Sequence, residues 1–138
     1  MQIVIAQSNL TRQVESFFKD NMDISNSGIY SQEFLCPLGI RASVRRKQMM
    51  VAMKDNAIIG AVRFYEKKTT KNISLYQFAI QKSYRGTGLL KEMLKQINQM
   101  PIHAKCPVES DFNQFYRKNG WVLLEEGEVL NEWVLCNS

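Results

Sequence analysis

A chain of 138 residues with 45% hydrophobic and 22% charged side chains has the length and composition of one globular domain spanning 1-138, which leaves no room for a second core and no need for disulfide staples. Its net charge of +5 favours anionic ligands such as phosphates, acidic proteins or nucleic acid, but the runs Arg45–Lys47 and Lys67, Lys68 and Lys71 lack interleaved aromatics, so a nucleic-acid surface is not favoured. Cys36, Cys106 and Cys136 are widely spaced, with no C-x-x-C pair, and no apolar run nears the roughly 20 residues of a membrane span; the expectation is a soluble, cytoplasmic protein with reduced thiols, no metal and no membrane partner.

In chain order, β-branched Gln2–Ala6 reads as a strand, and Ser8, Asn9 and Thr11 offer caps for a helix to about Asp20 carrying Val14, Phe17 and Phe18 on one face. Residues 21 to 39 are broken by glycine, proline and small polar side chains, which predicts a loop with one short helix around Ser31–Leu35. Gln48–Lys54 and Ala57–Lys67 read as strands joined by a tight turn at Asp55 and Asn56. Asn72–Gln81 reads as a central strand, with Ile73, Leu75, Gln77 and Ala79 on one face and Ser74, Tyr76, Phe78 and Ile80 on the other. Leu89, Leu90, Met93, Leu94 and Ile97 mark a helix stopped by Pro101. A strand at 102 to 106, a helix capped by Ser110 or Asp111 and ended by Gly120, and a closing hairpin complete the order. The fold class is mixed α/β, with helices covering a largely antiparallel sheet.

The stretch IQKSYRGTGLL, residues 80 to 90, runs from a strand end through Arg85, Gly86 and Gly88 into a helix. A helix start offers unpaired N–H groups and partial positive charge, glycines let a ligand touch backbone, and Arg85 adds donors. That combination points to a phosphate or pyrophosphate. Walker and dinucleotide patterns are both absent, since position 91 is lysine.

QKSYRGTGLL resembles the acetyl-CoA loop of the GCN5-related N-acetyltransferases, and FNQFYRKNGWVLLEE resembles the family's helix end and following strand, with Tyr116, Gly120 and Trp121 in register. Leu90 stands where the family has a small residue, and Glu109 where it often has asparagine. The resemblance implies a sheet of about seven strands and acetyl-CoA as co-substrate in a splayed gap between the strand ending at Ile80 and the strand around His103. Backbone of Phe78, Ala79 and Ile80 would then meet pantetheine, while Arg85, Gly86, Thr87, Gly88, Leu89 and Leu90 would hold the pyrophosphate. It also implies direct acetyl transfer to a primary amine of a small molecule or protein, with Tyr116 as cofactor contact and general acid to the departing thiolate.

A base must take the amine's proton, and Glu66 and Glu33 are its geometric candidates. His103, with no partner visible in the sequence, and Cys106, with no activating histidine beside it, read as non-catalytic. A non-catalytic module binding CoA thioesters, or a GNAT-type enzyme or adaptor acting on nucleic acid, is the rival reading, and the terminal hairpin is a plausible homodimer edge.

Overall fold

Seven strands build one sheet among residues 1–21, 36–97 and 99–136, which the computed structural model describes. β1 (Gln2–Ile5) leads through a 3₁₀ turn at Ser8–Leu10 into helix α1 (Thr11–Asn21), and helix α2 (Pro37–Arg45) precedes the hairpin of β2 (Met49–Lys54) and β3 (Ala57–Lys67). Then follow β4 (Asn72–Ile80), a 3₁₀ turn at Lys82–Tyr84, helix α3 (Leu89–Ile97), β5 (Ile102–Pro107), helix α4 (Phe112–Lys118), β6 (Val122–Glu126) and β7 (Leu130–Leu135). The sheet order is β1-β2-β3-β4-β5-β7-β6. Only β4 and β5 run parallel, and the mixed, largely antiparallel architecture expected from the sequence is the one observed.

Each face of the sheet buries its own apolar stripe. Val14, Phe17 and Phe18 of α1, with Ile40 and Val44 of α2, cover Val51, Ala61 and Ala79 on one face. Leu89, Leu90, Met93, Leu94 and Ile97 of α3, with Tyr116 of α4, cover Val62, Phe64, Ile73, Leu75 and Ile102 on the other. The turn between β2 and β3 forms as expected: Asp55 and Asn56 have φ of 52° and 64°, the paired left-handed conformation that short polar side chains tolerate.

Two expectations require correction. Helix α2 begins inside the segment read as loop through residue 39, because Pro37, taken as a breaker, occupies the first helical turn, where its missing N–H costs nothing. The predicted helix at Ser31–Leu35 lies outside the described residues. Secondly, β4 does not alternate throughout: Arg63 pairs with Gln77 but Phe64 with Leu75, so Tyr76 is an extra residue, a β-bulge. Ile73 and Leu75 therefore point toward α3, whereas Gln77 and Ala79 point toward α1 and α2.

The sheet parts at this bulge. β4 and β5 pair only at Ile73–Leu75 with Ile102–Ala104; beyond that register the strands diverge.

Candidate functional site

The divergence opens a cavity of about 650 Å³ that passes between β4 and β5. One wall is β4 from Leu75 to Ile80, the other is Lys105, Cys106 and Pro107, and the ends are closed by the loop before α3 and by α4. Of the ten residues expected to meet a cofactor, nine line it: Phe78, Ala79, Ile80, Arg85, Gly86, Gly88, Leu89, Leu90 and Tyr116. Thr87 is absent from the lining. Its hydroxyl instead donates to the carbonyl of Tyr84 and shapes the loop from behind.

Gly86 and Gly88 have φ of 78° and 86°, where a side chain would be strained, and a Cβ on either would meet nothing within 4 Å. Open space over left-handed glycines, at the start of a nine-residue helix, is a cradle for an anion. Arg85 is anchored at its edge: Nε–H donates to the Ile80 carbonyl and Nη2–H to the Asn21 carbonyl, both at 3.0 Å. The loop is thereby tied to the last residue of α1. Among the described residues, three cations, Arg85, Lys91 and Lys105, line the cavity against one carboxylate, Asp111. Leu90, where a small residue was expected, is 7% exposed because its side chain belongs to the core under α3.

Tyr116 enters from α4 and is 4% exposed, packed against Trp121 at 4.9 Å and Trp133 at 5.8 Å between ring centroids. Burial pushes its phenol well above the ordinary tyrosine range, and the nearby Cys106 sulfur adds to the effect. Burial likewise raises the Cys106 thiol, with a hydrogen bond to Ser110 opposing the shift. An ordinary thiol and phenol are already protonated at neutral pH, and burial moves both groups further from ionising. Ser110, not Asp111, caps α4, its Oγ accepting the Phe112 N–H at 3.1 Å. Phe112 meets the Phe78 ring edge-on at 5.5 Å between centroids and Phe115 meets it tilted at 5.8 Å.

Glu66 is exposed near the far end of β3 and does not line the cavity, and Glu33 lies outside the described residues. His103, which showed no partner in the sequence, has one in the fold: its Nδ1 lies 3.6 Å from a carboxylate oxygen of Glu132, because β5 pairs with β7. Lys105, Cys106 and Ser110 were missed as cavity residues. The only available signal was that a parallel partner for β4 must leave it somewhere after residue 104. Among the described residues no cluster of histidine, cysteine and acidic side chains could hold a metal, and no helix is long and apolar enough to cross a membrane.

Residues 30–136 match the family model described as an acetyltransferase (GNAT) domain. No curated protein matches the chain in sequence. Among solved structures, it is similar to the PaiA N-acetyltransferase of Thermoplasma acidophilum, determined in complex with coenzyme A, at 13% identity over 99% of this chain and 98% of that one, with a TM-score of 0.80. A GNAT-family acetyltransferase of Listeria monocytogenes superposes with a TM-score of 0.77 at 13% identity, over 97% and 93% of the two chains. An aminoglycoside 6'-N-acetyltransferase, complexed with coenzyme A, gives 0.70 at 11% identity over 97% and 95%.

Proposed function

Because the chain belongs to the GNAT acetyltransferase family, we propose that it binds acetyl-CoA in the gap between β4 and β5 and transfers the acetyl group directly to a primary amine. The observation that carries this reading is the meeting, in one cavity, of the left-handed glycine loop at the start of α3, the parted β4/β5 pair and the buried Tyr116. Acetyl-CoA supplies the acyl group and a thiolate leaving group. Gly86, Gly88 and the first amides of α3 take the pyrophosphate, and Arg85 covers its rim. The apolar wall of Phe78, Ala79 and Ile80 receives the pantetheine arm and excludes water.

Beyond Leu75, where β5 has departed from β4, the β4 backbone that borders the gap is the source of the donors offered to the thioester carbonyl. The amine approaches from the α1/α2 side of the sheet, opposite α4. Tyr116 holds the proton at Oη for the leaving sulfur. That role suits a group kept protonated by burial, since the same cavity raises the Cys106 thiol and would make a departing thiolate strongly basic as well.

Calorimetry with acetyl-CoA and thiol release across an amine panel test the proposal together. We expect binding, and release with at least one amine. Tyr116→Phe should lower kcat about 100-fold while leaving the affinity for acetyl-CoA within a few fold, as loss of a general acid does. Binding without release for any amine would point to a thioester-binding module, and an unimpaired Tyr116→Phe would remove the acid role.

A further inference from the structure

Arg63 is the charge in this fold that the acetyl-transfer reading does not use. It sits in the middle of β3, 8% exposed, on the α1/α2 side. Its Nη1–H donates to Gln77 Oε1 at 3.1 Å and its Nη2–H to Tyr65 Oη at 2.7 Å, while its buried Nε has no partner. The guanidinium lies 4.3 Å from the Tyr76 ring centroid and 5.6 Å from that of Tyr65. No carboxylate among the described residues pairs with it: Glu15, on the helix above, is taken by Arg41 at 2.7 Å. Neutral partners and ring faces satisfy hydrogen bonds, but among the described residues they leave the charge uncompensated, and a buried charge without a counter-ion is costly.

Its surroundings add to the positive potential. Gly39, in the first turn of α2, brings that helix start so close that a Cβ there would lie 3.3 Å from Nη1. A helix N-terminus carries about half a positive charge, so an arginine is normally disfavoured beside it. Tyr76 and Gln77, two of the residues that Arg63 touches, line the cavity at the bulge. The guanidinium therefore stands one side chain behind the wall where the amine must arrive.

We propose that the acceptor carries an oxyanion, a carboxylate or phosphate-type group close to its amine, and that Arg63 with the start of α2 selects it. The inference rests on the acetyl-transfer reading for the word acceptor. An acidic group on the incoming molecule supplies the counter-charge that the described residues lack, and it positions the amine at the bulge. A residue kept only for packing would serve better as methionine, since replacing a buried charge by an apolar side chain of similar volume is often neutral or stabilising.

The test uses matched acceptors: β-alanine and 3-aminopropylphosphonate against n-propylamine, with the full chain and acetyl-CoA. For the parent, KM should be roughly 10- to 100-fold lower for the anionic acceptors, the range of a charge-assisted hydrogen bond. Arg63→Met should fold, with a melting temperature no lower than the parent's, and should erase that difference, while Arg63→Lys retains part of it. A preference for carboxylate over phosphonate, or the reverse, identifies which oxyanion is read. Equal KM values in the parent, or an Arg63→Met variant that loses all acceptors alike, would overturn the inference. If acetyl-CoA binds but no amine releases thiol, the transfer reading fails by itself. Calorimetry of β-alanine into the CoA-loaded protein then decides: heat with the parent and none with Arg63→Met supports the oxyanion site, and no heat with either refutes it.

Discussion

Burial acts on Tyr116 and Cys106 in the same direction, and the sign gives a pH dependence of stability. Both are acids that are neutral when protonated, and both hold their proton more tightly folded than unfolded. The stability they contribute is complete below the ordinary thiol and phenol values and is lost as pH rises above those values toward the raised folded ones, since the unfolded chain then releases protons that the folded chain retains. Chemical denaturation from pH 7 to 11 should show a flat curve to about pH 9 and a decline beyond it, at most about 1.4 kcal/mol per pH unit for each group. Tyr116→Phe should flatten the part of the decline above pH 10, and an unchanged slope would mean that the phenol is open to water. Tyr116 and the glycine loop were legible in the sequence because their chemistry depends on residue type and short spacing. Arg63 was not, because what distinguishes it is the lack of a counter-ion, which only three-dimensional neighbours define. The Glu132 carboxylate beside His103 was hidden for the same reason, lying 29 positions along on a strand that pairing brings adjacent.

Among the elements, the helices with an uninterrupted apolar stripe, α1 and α3, could be read from period alone. Helix α2 could not, because proline and glycine in its first turn mimic a loop; in the fold the proline starts the helix and Gly39 allows its approach to Arg63. The bulge in β4 was hidden for a different reason, since alternation is a property of one strand and a bulge is a property of its pairing with the next. The junction of α4, β5 and β7 has a single side chain at its centre. Asn113 Nδ2 donates to the carbonyls of Pro107 and Ser110, at 2.8 and 2.9 Å, and Asn113 Oδ1 accepts from Asn131 Nδ2 at 3.2 Å and Trp133 Nε1 at 2.9 Å. Trp133 is 2% exposed, so removing the acceptor strands a buried indole N–H. Asn113→Ala should therefore cost about 2–4 kcal/mol, one or two unsatisfied buried groups, measured by urea denaturation. A loss under 0.5 kcal/mol would show that water replaces the amide and that the junction is not closed.

At the scale of the whole molecule, the sheet is two sub-sheets, β1 to β4 and β5 to β7, joined by a short parallel register of three paired residues. The core on the α3/α4 face runs across both sub-sheets, and the cavity occupies the seam where backbone pairing stops. A ligand that pairs with both strands would take the place of the missing register, so acetyl-CoA should act on the fold as a wedge that also bridges. At 100 times its dissociation constant, binding stabilises by about 2.7 kcal/mol. For a chain of this length that is a rise in melting temperature of roughly 8–10 °C. Any tight ligand would raise it, and the location of the effect is the discriminating measurement. Hydrogen exchange should slow not only at the glycine loop, residues 85 to 90, but also along both facing strands, at 76 to 80 and 105 to 107, with little change in the β1/β2 and β6/β7 pairs remote from the seam. Protection confined to the loop would mean that the pyrophosphate is held while the pantetheine arm stays out of the gap, and the direct-transfer geometry proposed for Tyr116 and the bulge would then have no thioester to act on.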